Sequence, residues 1–98
     1  MRPADVEVLN NNEQRQFEIH DGDQLAHLRY ARHGDVLELI HTEVPPSLEG
    51  RGYGSKLAVT ALDYAAEHSL LVKPTCPFVR TYLERHPEYS KLTTRTDD

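Results

Sequence analysis

The sequence predicts an α+β domain, a mainly antiparallel sheet with two packed helices. Three observations lead there. Alternating apolar segments are separated by the turn signals Asp21-Gly22 and Gly34-Asp35, a proline pair at Pro45-Pro46 closes the last of them, and helix-spaced apolar residues follow.

Residues 6 to 44 read as sheet, beginning at Val6-Glu7-Val8 and continuing through Phe17-Glu18-Ile19-His20 to the Asp21-Gly22 turn. A further strand spans about Gln24 to Arg32, and Gly34-Asp35 turns it into Val36 to Val44. Together they make an antiparallel meander. Pro45 and Pro46 supply no backbone donor, so the ladder must end or splay there.

From about Gly54 to His68, Leu57, Ala58, Ala61, Leu62 and Ala65 have the i, i+3, i+4 spacing of one helix face. Leu70-Leu71-Val72 reads as a short strand buried on both faces and ended by Pro74. Pro77 suits the first position of a second helix capped by Thr75 or Cys76, and Pro87 stops that helix near Arg85. One domain over residues 1 to 92 is expected, with a polar tail from Thr93 to Asp98.

Ninety-eight residues allow one core and no second catalytic domain. Eleven Lys and Arg against sixteen Asp and Glu give a net charge of -5, and no basic run interleaves with aromatics, which argues against nucleic acid. The single cysteine, Cys76, rules out an internal disulfide framework and the apolar runs are too short for a membrane helix; a cytoplasmic monomer or weak dimer without membrane insertion is expected. Histidines 20, 27, 33, 68 and 86 have no compact ligand spacing with Cys76, so no metal site is expected.

Gly50, Gly52 and Gly54 alternate just before the first helix, where unpaired amides and the helix dipole favour an anion, and Arg51 and Lys56 flank them. The same residues also fit a plain loop with an ordinary cap. The segment lacks the Gly-Lys-Ser/Thr ending of a Walker loop, since Gly54-Ser55-Lys56 reverses that order. It also lacks the spacing and parallel setting of a dinucleotide fingerprint.

Glu49-Gly50-Arg51-Gly52-Tyr53-Gly54 resembles the Gln/Arg-x-x-Gly-x-Gly/Ala pyrophosphate motif of the GNAT acetyltransferases, with Glu49 departing at its first position. Taken with Glu43-Val44-Pro45-Pro46, Cys76-Pro77-Phe78-Val79 and the run Tyr82 to Tyr89, it resembles a small single-domain GNAT-like subfamily. The resemblance covers roughly Val36 to Tyr89. It implies a minimal GNAT-like fold and an acetyl-CoA-dependent N-acetyltransferase, with acetyl-CoA as co-substrate, no metal, and a small-molecule or protein amine as acceptor. The implied coenzyme contacts are the amides of Gly52, Tyr53, Gly54 and Ser55, the Arg51 side chain, the splayed strand at Val44, and Cys76, Pro77 and Tyr82 nearby.

Acetyl transfer to an amine requires a neutral nucleophile, so a base is needed. His41 and Glu43 project to one face by period two beside the proline break; His41 is the candidate base and Glu43 its partner or a second base. The plain alternative for His41 is a strand histidine satisfied by a neighbour. Cys76 lies at a helix start, where the dipole favours a thiolate, so it reads as a nucleophile for an acetyl-cysteine intermediate, as a cofactor-lining residue, or as a small core hydrophobe. In the resembled enzymes a tyrosine protonates the departing thiolate; Tyr82 fits that role or a core aromatic's. Two rivals stand beside the enzyme: a non-catalytic coenzyme A-binding or protein-interaction module, and a redox-responsive adaptor built on Cys76.

Overall fold

The computed structural model describes residues 6 to 93. Five strands lie in sequence order across one sheet: β1 (Leu9–Asn11), β2 (Gln16–Asp21), β3 (Gln24–His33), β4 (Val36–Glu43) and β5 (Leu71–Pro74). The first four form an antiparallel meander, and β5 runs parallel to β4. Parallel neighbours need a crossover, which here is helix α1 (Tyr53–Glu67). Helix α2 (Pro77–Arg85) follows β5, and short 3₁₀ turns occupy Pro46–Leu48 and Pro87–Leu92.

The core lies between one sheet face and the helices. Phe17, Ile19, Ala26, Leu28, Tyr30, Leu37 and Leu39 point inward from the strands and meet Leu57, Ala61, Leu62 and Ala65 of α1, Val72 of β5, and Cys76 and Val79 at α2. This is the stripe expected of α1 from its apolar spacing. No helix covers the opposite face among the described residues, and Gln16, His20, His27, Arg29 and His33 line it.

Three details differ from the sequence reading. Val6 and Val8 pack against the core without joining a strand, and β1 is instead Leu9–Asn11. Asn10 accepts a hydrogen bond from the buried Tyr30 hydroxyl at 2.7 Å, and Asn11 donates to Glu18 at 2.9 Å, so polar contacts fix this edge. Leu71, expected to be buried, is exposed because β5 meets the core only through its inward residue Val72. Thr93, expected in the tail, bridges Val72; the rest of that tail, 94 to 98, lies outside the described residues.

Helix α1 ends with Ser69 in the left-handed region (φ 57°). Leu70 N–H bonds to Ala65 C=O at 2.8 Å and Ser69 N–H to Ala66 C=O at 3.3 Å, the paired bonds of a Schellman motif. Leu70 is thereby turned into the core. Among the described residues, no helix is long and apolar enough to cross a membrane.

Candidate functional site

The pairing of β4 with β5 stops at Leu39 opposite Pro74, and Cys76 N–H then takes the Leu39 carbonyl at 2.8 Å. Pro74 has no donor with which to extend the ladder. The remainder of β4, from Ile40 to Glu43, therefore parts from β5. A cleft of about 680 Å³ opens there, lined on one side by His41, Thr42, Glu43 and Val44 and on the other by Gly50, Gly52, Tyr53, Gly54 and Ser55.

A bulge sets which side chains face it. The β3–β4 register shifts between Arg29 and Tyr30, so that Tyr30 opposes Leu39 while Arg29 opposes His41. The extra residue is Ile40. Before it, odd-numbered Leu37 and Leu39 point into the core; after it, Thr42 points inward and His41 and Glu43 point outward. Bulges of this kind re-aim side chains beside functional sites.

Gly52 caps α1 in the left-handed region (φ 80°) with no side-chain cap, and Lys56 N–H, bonded to Gly52 C=O at 3.0 Å, is the first closed in the helix. The amides of Tyr53, Gly54 and Ser55 have no backbone acceptor among the described residues, and all three residues line the cleft. No acidic residue occupies the first turn. Such an end attracts phosphate oxygens through its dipole and free N–H groups. Gly54 has a second reason to lack a side chain: a Cβ there would lie 2.8 Å from the ring of Phe78 on α2.

The loop before α1 is pinned from the sheet. Tyr53 donates its hydroxyl to Asp21 at 2.6 Å, and Arg51 meets the same carboxylate at 3.4 Å. That hydrogen bond, with burial and the Asp21 charge, raises the Tyr53 hydroxyl pKa above its ordinary value and keeps it protonated. Arg51 is thus tied to Asp21 and is not part of the cleft lining.

Of the residues singled out in the sequence, His41, Glu43, Val44, Gly52, Tyr53, Gly54 and Ser55 line the cleft, and Arg51, Cys76, Pro77 and Tyr82 do not. Cys76 is buried, with Sγ 3.3 Å from Thr42 Oγ1, so Thr42 stands between the thiol and the cleft. His41 lies on the other side of the strand from that thiol. Tyr82 stacks on His86 at 4.1 Å and neighbours Tyr89. Burial, Glu88 and Asp63 raise its hydroxyl pKa, and it serves the junction between α2 and the last 3₁₀ turn.

Sequence reasoning passed over Thr42, Leu48 and Phe78 as lining residues, while Glu49 and Gly50, which also line the cleft, belong to the glycine motif it selected. Thr42 sits between two residues it did select, but only the bulge shows that Thr42 faces Cys76. Among the described residues, no group of His, Cys, Asp and Glu is arranged to hold a metal ion.

A splayed strand facing a glycine-capped helix start, on a sheet of this order, defines a GNAT-like α+β domain. The profile of the GCN5-related N-acetyl-transferases matches residues 16–92, and the chain belongs to that family. It is 31% identical over 87 residues to Protein NATD1 of Gallus gallus, covering 84% of this chain and 77% of that protein. Protein NATD1 of Xenopus tropicalis is 32% identical over 90 residues, covering 86% and 80%. Among solved structures, the NMR solution structure of a GCN5-like protein from Staphylococcus aureus superposes with a TM-score of 0.72 at 26% identity, over 91% of this chain and 88% of that one.

Proposed function

We propose that the chain is an acetyl-CoA-dependent N-acetyltransferase acting on a primary amine. The observation that carries this reading is the cleft itself, with the end of β4, paired to β3 but parted from β5, on one wall and the start of α1 on the other. The amides of Tyr53, Gly54 and Ser55 suit a pyrophosphate, and the edge of β4 that has parted from β5 suits the amide groups of a pantetheine arm. Phe78 offers an apolar surface beside them.

In the reaction the neutral amine nitrogen attacks the thioester carbonyl carbon, the C–S bond breaks, and coenzyme A leaves as the thiolate. The proton lost by the amine passes to His41 or Glu43, both on the outward side of β4 at the cleft rim. Direct transfer fits the geometry, because Cys76 is shielded by Thr42. An acetyl-cysteine step would first require the Thr42 side chain to turn away and expose the thiol.

The test is binding and turnover together. Acetyl-CoA should bind the wild-type chain, and acetylated product should appear with a primary amine. Gly54→Val should weaken coenzyme binding by about tenfold or more, since its side chain would strike Phe78 at the helix start. Calorimetry of the folded variant measures this. Binding without acetyl transfer to any of a broad set of amines would instead favour the non-catalytic binding module.

A further inference from the structure

The end of the sheet away from the cleft holds a second cavity, of about 250 Å³, which shares no lining residue with the first. Its floor is apolar and aromatic, made by Leu37 of β4, Tyr30 of β3 and Tyr64 of α1. Its rim carries Asn12 and two arginines, Arg15 from the loop between β1 and β2 and Arg32 from the last part of β3.

Arg32 stands where the inward face of the sheet would be expected to stay apolar. It pairs directly with the fully buried Leu37, and directly opposed residues share a face. The inward row of β3 therefore runs Ala26, Leu28, Tyr30 and ends in a cation. Arg32 Nε donates to Gly34 C=O at 3.0 Å, which holds the guanidinium by its base and leaves its two terminal nitrogens as donors.

Arg15 occupies a backbone position that glycine would fill without strain. Its φ is 57°, in the left-handed region, and Tyr30 N–H bonds to Arg15 C=O at 2.9 Å. A long cationic side chain kept at a strained position beside a cavity is the kind of outlier that points to a role. Its charge acts on the Tyr30 hydroxyl, whose pKa burial and Tyr64 raise and the Asn10 hydrogen bond and Arg15 lower, so the guanidinium lies near that hydroxyl. The same hydroxyl lies 3.3 Å from Asn12 Oδ1, which leaves the Asn12 amide nitrogen as a third donor.

Among the described residues no carboxylate lines this cavity; Glu13, Asp35 and Glu38, close in sequence to the residues that do, lie outside its lining. In a chain of net charge -5, two guanidiniums and an amide over an aromatic floor form a rim of donors that accepts an anion. Planar guanidinium forks match a carboxylate, and the floor calls for an apolar body behind it, which a bare phosphate lacks.

We infer that this cavity is a second binding site, in which Arg15 and Arg32 clasp a small carboxylate whose flat apolar body lies on Tyr30, Tyr64 and Leu37. It stands independently of the acetyltransferase reading, because it uses no residue of the cleft.

The experiment is an NMR titration of the full chain, followed at the backbone amides, with benzoate, with benzyl alcohol as its neutral isostere, and with inorganic phosphate as an anion without the apolar body. Benzoate should bind with a Kd on the order of 1 mM and shift Arg15, Arg32 and Tyr64 while leaving Tyr53 and Gly54 of the cleft in place. Benzyl alcohol and phosphate should each bind about tenfold more weakly. Arg15→Gly should weaken benzoate about tenfold while its Tm stays equal to wild type or rises, since glycine relieves the left-handed strain; a loss of affinity through misfolding would lower Tm instead. Arg32→Gln should weaken benzoate to a similar extent. Equal binding of benzoate and benzyl alcohol, phosphate binding as tight as benzoate, benzoate affinity in both variants within twofold of wild type, or shifts confined to the cleft overturns the inference.

Discussion

Glu18 shows most clearly how single residues set this surface. It is 6% exposed, yet it lies on the sheet face that no helix covers. Burial alone would raise its carboxyl pKa, but hydrogen bonds from Gln16, His20 and Asn11, and the charge of His20, outweigh burial and hold it below the ordinary value. Because the folded-state value is depressed, the stabilisation is present above the unfolded-state value near 4.3 and is lost as pH falls through the folded one. Glu18→Gln should therefore destabilise the chain at pH 7 by about 1–3 kcal/mol. The gap between variant and wild type should close below about pH 4. Urea unfolding at both pH values measures it, and an equal gap at pH 7 and pH 3 would refute the assignment. Glu38, bonded by Thr75 and His33, is depressed in the same direction and adds to the loss on acidification.

At the scale of elements, the hairpins and the long helix were legible because their signals are local. Asp21-Gly22 and Gly34-Asp35 announce tight turns, both glycines have positive φ (63° and 61°), and Leu57 to Ala65 repeat at helical spacing. The bulge at Ile40 was not legible, since no Gly or Pro marks it and it exists only in the register with β3. For the same reason the sequence could place His41 and Glu43 on one face, but could not place Thr42 against Cys76 or His27 against Glu43. Leu71 was misjudged because a three-residue apolar run does not tell an edge strand from a central one.

The end of α1 makes a separate prediction. Ser69 adopts the left-handed conformation that the Schellman motif requires and that glycine adopts without strain. Ser69→Gly should relieve that strain, less the extra freedom it adds to the unfolded chain, for a net gain of about 0.5–1 kcal/mol. A rise in Tm of a few degrees is expected, about 4–8 °C per kcal/mol for a domain of this size. A lower Tm would mean that the Ser69 side chain contributes something the backbone geometry does not show.

For the molecule as a whole, strand β4 acts as a partition. Its inward residue Thr42 faces the buried thiol, and its outward residues His41 and Glu43 reach the rim of the cleft beside His27. On the acetyltransferase reading, both reactants meet in that cleft while the thiol stays behind Thr42. Initial-rate data for acetyl-CoA and amine should accordingly give intersecting double-reciprocal lines, the signature of a ternary complex with no compulsory first product. Parallel lines, together with acetylated Cys76 trapped by mass spectrometry in the absence of amine, would show that the partition opens during turnover and the thiol carries the acetyl group across it.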